Sequence, residues 1–299
     1  MFHQCSLSEL VVTWFRAISS IDPIGLLKPF WYDAAKNVYR ALFEKEFRHY
    51  LWLILKYGRT RRYTRLTVTV HGWKMTIPDI ASFFSAYREI FVEEIYSFPS
   101  ENRKPVVLDC GANIGLSILY LKTKYPLAEV IAYEADPTIF QYLKHNMEAN
   151  GITGVELHNI AIWSSDRSIE FSVEGADGGR VSVEKDNNII SVPAVSLAAI
   201  LEGRKFDFIK LDIEGAEVPA LNGCERYLSK TDYVFVEFHS FAHRKQDLGW
   251  IIDMFERSGF RVHIHPPFIA KRPFEGIHDQ NGMDMQLNLF FWKGDHETA

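Results

Sequence analysis

The 299-residue chain is long enough for one large domain with an extension, and its 47% hydrophobic and 24% charged residues exclude an intrinsically disordered protein. A net charge of −5 argues against binding to nucleic acid through a basic surface. Three scattered cysteines without a C-x-x-C pair exclude a disulfide framework and a zinc ribbon. We see no signal-peptide pattern, and the longest apolar run near the N-terminus, Leu51–Leu55, is too short for a transmembrane helix. These features predict a soluble, cytoplasmic protein.

Residues 1–64 are predicted to form an N-terminal helical extension. Aromatic residues at helical spacing indicate two or three amphipathic helices, interrupted at Pro23, Pro29 and residues 56–58. Aromatic faces stack on sugar rings, but aromatics at this spacing also form cores, so both interpretations stay open. A basic run at the end of this region contains Arg59, Arg61, Arg62 and Arg65. This run either binds an anionic acceptor or forms a solvated face.

Residues 65–104 are predicted to form a hairpin and a helix that lead into the core. Residues 66–70 and 73–77 alternate apolar and polar side chains on either side of His71-Gly72, which predicts two antiparallel strands joined by a tight turn. Asp79 is a candidate N-cap for a helix over residues 80–96.

From residue 105 to residue 299, short apolar runs alternate with segments of helix length. This alternation predicts right-handed βαβ units and an α/β fold with a doubly wound, mostly parallel, seven-stranded Rossmann-like sheet. The predicted strands are residues 106–108, 130–133, 155–160, 206–211, 233–238, 260–264 and 286–292, and the predicted helices are residues 114–124, 138–149, 216–228 and 246–258. The seventh strand follows a loop and is expected to run antiparallel to its predecessor. Residues 169–173 and 181–183 predict an inserted hairpin, and residues 263–284 are a candidate lid.

A glycine-rich turn follows the first strand of this predicted sheet. Gly111 permits a tight turn and Gly115 a close approach of the helix, with Ala112 and Asn113 between them. A dinucleotide-binding turn has the pattern G-x-G-x-x-G, and a carboxylate beside its diphosphate would be repulsive. Here the pattern is G-x-N-x-G, and Asp109 ends the strand. The negative charge favours a ligand with cationic groups, such as S-adenosylmethionine (SAM).

The ends of the second and third strands carry residues that suit the rest of this cofactor. Glu134 lies at about the 20-residue distance from the turn where a ribose-binding acid is expected, and its oxygens can accept from two ribose hydroxyls. Asn159 and Ala161 end the third strand, where a small residue leaves room for adenine. The alternative is that Asp109 caps a helix and Glu134 is a solvated acid. Two acids at the appropriate strand ends favour the cofactor site.

The chemistry is expected at the ends of the fourth and fifth strands. Methyl transfer from a sulfonium to oxygen requires in-line alignment and removal of the hydroxyl proton. Asp212 is the first candidate for contact with both cofactor and acceptor, and Glu214 lies beside it. His239 is the candidate general base, with Glu237 orienting it or the acceptor. Lys210 is a weaker candidate, since a lysine must first lose its proton.

Structural roles for these residues stay open as well. His239 can be a satisfied buried histidine, and Glu214 can complement the charge of a helix N-terminus. Asp212, Glu214, Glu237 and His239 also suit Mg²⁺ or Mn²⁺, but nothing in their spacing demands a metal and none is predicted.

The ordered motifs resemble the FkbM family of methyltransferases over about residues 66–292. The motifs are residues 109–115, Glu134-Ala135-Asp136-Pro137, residues 159–161, residues 212–217 and Val236-Glu237. The resemblance implies a SAM-dependent enzyme that methylates hydroxyls of sugars, glycans or polyketide-type metabolites. It also implies roles for the matching residues: Asp109, Gly111, Asn113 and Gly115 around the methionine part, Glu134 at the ribose, and Asp212 at the boundary between cofactor and acceptor. Cys110 departs from the small aliphatic residue common in the family, and the helical region up to about residue 60 lies outside the resemblance.

The predicted function is O-methylation of a small-molecule or glycan acceptor, with SAM as cofactor. Three alternatives remain open at this point. An NAD-type dehydrogenase is disfavoured by the glycine pattern. An RNA methyltransferase would use the local basic run. A SAM- or nucleotide-binding regulatory module would lack catalysis, and the acids and histidine at the strand ends argue against it.

Overall fold

The computed structural model describes residues 28–172, 180–181, 189–267, 274–275 and 283–293. The chain divides into two compact units, residues 1–58 and residues 59–299. The described part of the first unit comprises helices α1 (Lys28–Phe43) and α2 (Lys45–Tyr57). Pro29 lies in the first turn of α1, where a proline is tolerated because its missing N–H has no helical partner. Pro29 therefore stands at the start of a helix. The residues before Lys28, including Pro23, lie outside the described residues, so the interruption at Pro29 stays a prediction.

The second unit opens with the predicted hairpin. Strands β1 (Leu66–Val70) and β2 (Trp73–Ile77) pair antiparallel, and the turn residues have positive φ angles of 48° at His71 and 88° at Gly72. The side-chain amides of Asn146 and Asn150 attach β2 to the core. Asn146 accepts from the N–H of Thr76 and donates to its carbonyl oxygen, and Asn150 does the same with the backbone of Lys74. These side-chain amides satisfy the outer edge of β2, which has no further strand beside it in the part of the chain that the structure describes.

The helix after the hairpin is shorter than predicted. Helix α3 (Ile80–Tyr87) begins after Asp79, whose side chain accepts from the N–H of Ser82, so the predicted N-cap is confirmed. A π-helical turn, Arg88–Val92, follows α3, and Glu94 has a φ of 51° that ends the helical path. Tyr96 leaves the helix because its ring packs under the main sheet against Phe208 and Phe235. The extension of this helix to residue 96 was wrong.

The main sheet is built from alternating strands and helices. Its first half contains β3 (Val106–Cys110), α4 (Leu116–Lys124), β4 (Glu129–Tyr133), α5 (Pro137–Ala149) and β5 (Val155–His158). Its second half contains α6 (Leu197–Gly203), β10 (Phe208–Leu211), α7 (Glu217–Leu221), α8 (Glu225–Leu228), β11 (Tyr233–Phe241), α9 (Leu248–Arg257), β12 (Phe260–His265) and β13 (Met283–Lys293). Both faces of the central strands are covered, which explains why β3 and β10 are almost entirely buried and mainly apolar, with Asp109 and Lys210 as the charged exceptions.

The strand order places the switch point of the fold between β3 and β10. Within the described residues the order is β12-β13-β11-β10-β3-β4-β5, and β13 runs antiparallel to both β11 and β12. The predicted doubly wound, mostly parallel, seven-stranded α/β sheet is thus confirmed, including the antiparallel last strand. Chain connections diverge to opposite sides of the β3–β10 pair, so a crevice opens above the carboxyl ends of these strands.

A second sheet lies between β5 and α6. It contains β6 (Ala161–Trp163), β7 (Arg167–Ser172), β8 (Arg180–Val181) and β9 (Ile189–Ser196), in the order β6-β9-β7-β8. The antiparallel pairing of β7 with β8 agrees with the predicted hairpin, part of which lies outside the described residues. Sequence analysis missed β9 and assigned Ala161 to the end of the third strand, whereas Ala161 begins β6.

Two helix boundaries also differ from the prediction. The helix expected over residues 216–228 is divided into α7 and α8, because Gly223 between them has a φ of 83°. The helix after β3 begins at Leu116 instead of Ile114, because Asn113 and Gly115 adopt left-handed conformations. Most of the candidate lid, residues 263–284, lies outside the described residues. None of the helices described by the structure is long and apolar enough to cross a membrane.

We expect Gly111→Ala to destabilise the fold more than Gly72→Ala. Both glycines have a φ near +85°, which costs an alanine about 1–2 kcal/mol. A Cβ at Gly72 would meet no neighbour within 4 Å, whereas a Cβ at Gly111 would overlap the backbone carbonyl of Asp212. Chemical denaturation followed by circular dichroism measures both variants, and equal losses of unfolding free energy would contradict the tight packing of this turn.

Candidate functional site

Two adjoining cavities lie above the carboxyl ends of the central strands. The first is bordered by the turn after β3, the end of β4 and the start of β6, and its apolar wall includes Ile139, Ile160, Ile162 and Phe171. The second is bordered by α3, the turn after β3, and the ends of β10 and β11. Both cavities share Gly111, Asn113, Asp212 and Glu214. The two spaces therefore meet at the switch point between β3 and β10.

The structure brings most of the predicted site residues to these walls. The first cavity is lined by Glu134, Ala135 and Ala161, and the second by Ala112, Lys210 and Glu237, in addition to the four shared residues. Four predicted residues line neither cavity: Asp109, Gly115, Asn159 and His239. Gly115 instead lies against the side chains of Leu143 and Met147, which explains the need for glycine at the start of α4. Asn159 donates from its side-chain amide to the backbone carbonyl of Glu134, 2.8 Å away, and so supports the cavity from behind.

The Glu134 carboxylate is held in place at the end of β4. One oxygen accepts from the N–H of Asn113 at 2.9 Å, and the other accepts from the N–H of Asp136 at 2.8 Å. Each oxygen retains a second lone pair for another donor. Burial raises the pKa of Glu134 to about 7, and the two backbone hydrogen bonds oppose this shift only in part. Asp136 itself caps α5 by accepting from the N–H groups of Thr138 and Ile139.

A buried lysine links the glycine turn to the fourth parallel strand. Lys210 Nζ lies 3.3 Å from Asp109 Oδ1, 3.2 Å from Asp212 Oδ2 and 2.6 Å from the carbonyl oxygen of Gly111. Although burial by itself would lower the pKa of Lys210, Asp212 and Asp109 raise it well above its usual value. The other oxygen of Asp109 accepts from the Ser117 hydroxyl at 2.6 Å.

These contacts change the interpretation of Asp109. Its side chain is fully buried, and its charge is matched by Lys210 across the β3–β10 pair. Direct contact between Asp109 and a cationic ligand stays a prediction, whereas its support of Lys210 and of the turn is visible in the geometry.

The second cavity has an acidic wall. Glu237 is buried, accepts a hydrogen bond from Gln286 and faces Asp212 and Glu89. Burial, followed by the charge on Asp212, raises the pKa of Glu237 well above its usual value, and the same two causes raise the pKa of Glu89 to about 7. Sequence analysis missed Glu89 because it lies in the π-helical turn, far from the sheet motifs in sequence.

His239 lies behind this wall among three carboxylates. Its Nδ1 is 3.0 Å from Glu217 Oε1, and its Nε2 is 3.5 Å from Glu214 Oε2 and 3.8 Å from Glu237 Oε1. Burial alone would lower the pKa of His239, but Glu214 and Glu217 raise it well above its usual value. A cationic imidazole cannot accept a proton, so this environment does not favour the neutral general base that we predicted.

Glu217 is a further site residue that sequence reasoning did not single out. Its buried carboxylate accepts from the N–H groups of Gly215 and Ile213 as well as contacting His239. The signal was its position at the start of α7, directly after the turn that follows β10, where an acid can reach back to the preceding backbone.

Sequence comparisons agree with this arrangement. Residues 109–262 match the methyltransferase FkbM domain. The chain is 26% identical over 210 residues to Methyltransferase 1 from Beauveria bassiana, covering 60% of this chain and 82% of that protein. It is 27% identical over 193 residues to the hexuronic acid methyltransferase AglP from Haloferax volcanii, covering 63% of this chain and 80% of AglP. It is also 26% identical over 161 residues to the 2-O-methyltransferase NoeI from Sinorhizobium fredii, covering 46% of this chain and 65% of NoeI.

The matched residues run from Asp109 in β3 to Val262 in β12. They include the glycine turn, Glu134, the turn after β10 and the end of β11, all of which contribute residues to the walls of the two cavities. Because the match covers more than half of the chain, the family assignment suggested by the sequence motifs is confirmed. This chain belongs to the family of methyltransferases that contain an FkbM domain.

Proposed function

We propose that this methyltransferase transfers a methyl group from SAM to a hydroxyl oxygen of a sugar, glycan or related small metabolite. The observation that carries the proposal is the meeting of two cavities at Asp212 and Glu214, one with an ordered acid suited to ribose and the other with an acidic wall. A group-transfer enzyme needs such a boundary, because donor and acceptor must contact each other while each is held separately.

The first cavity suits the adenosine part of SAM. Glu134 would accept from the ribose hydroxyls through the lone pairs that its two backbone hydrogen bonds leave available. Ala135 and Ala161 are small, and the neighbouring wall of Ile160, Ile162 and Phe171 is apolar, as a flat base requires.

The methionine part of SAM would extend along the glycine turn toward Asp212. Gly111 and Asn113 border both cavities there, so a ligand in the first cavity can reach the second. The cationic amino and sulfonium groups of SAM would meet the acidic residues at this boundary, and this arrangement replaces the direct attraction by Asp109 with attraction by Asp212 and Glu214.

The chemistry would then depend on a carboxylate. Lys210 and His239 both carry raised pKa values and hold their protons, so neither is a suitable base. Asp212 lies at the boundary and is our candidate to align the acceptor hydroxyl and take its proton, with Glu214 beside it and Glu237 orienting the acceptor from the second cavity. Lys210 would position Asp212 through their 3.2 Å ion pair.

The acceptor class rests on the relatives and on the cavity. AglP is described as acting on a hexuronic acid and NoeI as a 2-O-methyltransferase, and both are similar to this chain. A wall of carboxyl groups with Gln286 among them can accept and donate several hydrogen bonds to a polyol.

Calorimetric titration of the protein with SAM and, separately, with NAD tests the cofactor. We expect saturable binding of SAM and much weaker binding of NAD, whose diphosphate would face Asp212 and Glu214. Mass spectrometry after incubation with SAM and a panel of sugars, glycans and RNA identifies the acceptor. Tighter binding of NAD refutes the cofactor, methylated RNA refutes the acceptor class, and SAM binding without transfer to any acceptor indicates a regulatory module.

The affinity for SAM should depend on pH through Glu134. Its carboxyl group, with a pKa of about 7, loses an acceptor when it takes up a proton, so the form that accepts from both ribose hydroxyls predominates only above this pH. We therefore expect the Kd for SAM to be about tenfold higher at pH 6 than at pH 8, because the competent fraction falls by that factor.

The Glu134→Gln variant is the control for this pH dependence. It should bind SAM weakly at both pH values, and any pH dependence that remains belongs to SAM or to other groups. Identical pH profiles for the variant and the unmodified protein would remove Glu134 from the ribose site.

A further inference from the structure

Asp212, Glu214 and His239 form a group of metal-ligand side chains from two neighbouring strand ends, and we propose that they bind one divalent cation of the Mg²⁺ or Mn²⁺ class. Asp212 and Glu214 lie in the loop after β10, and His239 lies on β11. Each residue offers one ligand atom, and these atoms all lie within 4.8 Å of one another. One imidazole with two carboxylates is a donor set that hard and borderline divalent cations accept.

The spacing of the ligand atoms is close to what one ion requires. Two atoms bound to the same cation at about 2.2 Å can be no more than about 4.4 Å apart. His239 Nε2 and Glu214 Oε2, 3.5 Å apart, already meet this limit. A side-chain rotation that moves Asp212 by a few tenths of an ångström would bring the third atom within range, and the partial exposure of Asp212 and Glu214 leaves room for it.

The histidine is oriented as a metal ligand. Its Nδ1 faces Glu217 at 3.0 Å, and Glu217 is itself fixed by the N–H groups of Gly215 and Ile213. Nε2 is therefore the ring atom directed at Glu214 and, at 3.8 Å, at Glu237. A cation would bind Nε2 in exchange for the proton that this atom carries in the metal-free protein, so binding would release a proton. A carboxylate that holds the far nitrogen of a histidine is the usual outer contact of a metal-bound imidazole, where it sets the tautomer and the ring orientation.

The local charge balance favours a cation. Asp212, Glu214, Glu217 and Glu237 surround one histidine, and Lys210 pairs with the Oδ2 atom of Asp212 but also with Asp109. Like charges held together with little water are costly, and a divalent cation offsets two of them. The position also adjoins both cavities through Asp212 and Glu214, so a bound cation would contact an oxygen of the acceptor or of the cofactor.

Titration with Mn²⁺ alone tests the site without any substrate. The full chain is treated with a chelator, desalted and titrated with MnCl₂, and the free ion is measured by electron paramagnetic resonance. We expect one saturable site from which Mg²⁺ displaces Mn²⁺. Glu214→Gln and His239→Gln should each weaken Mn²⁺ binding at least tenfold, and Glu217→Gln should weaken it about tenfold through the orientation of His239.

Matched controls lie on an exposed part of α5. Glu148→Gln and His145→Gln remove the same chemical groups outside the site and should bind Mn²⁺ as the unmodified protein does. Thermal unfolding followed by circular dichroism shows which variants are folded. If His239→Gln does not fold, Mn²⁺ binding by the Glu214→Gln variant still tests the site, because Glu214 is partly exposed and its substitution should leave the fold intact.

Two results would overturn the metal site. One is the absence of saturable Mn²⁺ binding by the folded protein up to about 1 mM. The other is unchanged binding by a folded Glu214→Gln variant. The Mn²⁺ titration contains neither SAM nor acceptor, so its outcome is read separately from the SAM titration, although both ligands would contact Asp212 and Glu214.

Discussion

Asp212→Asn should lower the rate of methyl transfer by about 10²- to 10⁴-fold while changing the Kd for SAM much less. The factor is the usual contribution of a positioned proton acceptor. Asparagine has nearly the same shape, so the boundary between the two cavities keeps its form, but the amide cannot take a hydroxyl proton. The larger loss should appear in turnover, because proton transfer develops only in the transition state, whereas removal of the Asp212 charge weakens the attraction of SAM by a smaller factor.

Transfer of labelled methyl from SAM to the acceptor found by mass spectrometry measures this effect. Asp253→Asn, on the exposed face of α9, is the matched control and should retain full activity. An Asp212→Asn protein with undiminished turnover would exclude Asp212 as the proton acceptor and leave Glu214 as the next residue to change.

Lys210→Met should destabilise the fold by about 3–5 kcal/mol. The substitution keeps an unbranched side chain that is one atom shorter, but it leaves Asp109, which has no exposed surface, as a buried charge without its cationic partner. Asp109 would retain only the hydrogen bond from Ser117. The loss should be much larger than the value of a surface ion pair, since water cannot replace the lysine at this depth.

Chemical denaturation with a matched exposed lysine tests this expectation. Lys205→Met removes an exposed pair with Asp232, 3.8 Å away, and should cost no more than about 1 kcal/mol. Combining Asp109→Asn with Lys210→Met should recover part of the stability, because the buried charge is then absent. If Lys210→Met costs no more than Lys205→Met, the buried pair does not hold the turn and the strand together.

The same lysine connects stability with the proposed chemistry. Lys210 contacts Asp109 in β3, the carbonyl of Gly111 in the turn, and Asp212 at the boundary of the cavities. A change at Lys210 should therefore affect both unfolding and SAM binding, whereas Asp212→Asn should affect mainly turnover. This difference separates a residue that supports the site from one that acts in it.

Periodicity predicted the sheet because burial acts on each segment locally. The apolar runs that form β3, β4 and β10 are covered on both faces of the sheet. Burial on both faces requires apolar residues at consecutive positions, and this pattern is visible in the sequence of each segment by itself. Local chemistry likewise predicted the cap by Asp79 and the turn at His71-Gly72. The predicted ends of helices were wrong where contacts with residues distant in sequence determine the structure, as at Tyr96, whose ring packs under the main sheet.

The sequence by itself determined the fold class, the glycine turn and the gathering of acids at strand ends, since each follows from residue type and spacing. Only the tertiary structure decided which charges meet: Lys210 with Asp109, and His239 with Glu214 and Glu217. Charge state depends on distances through space between residues far apart in the chain, and on how much water they retain. For this reason a histidine that the sequence favoured as a base is surrounded by carboxylates that keep it protonated.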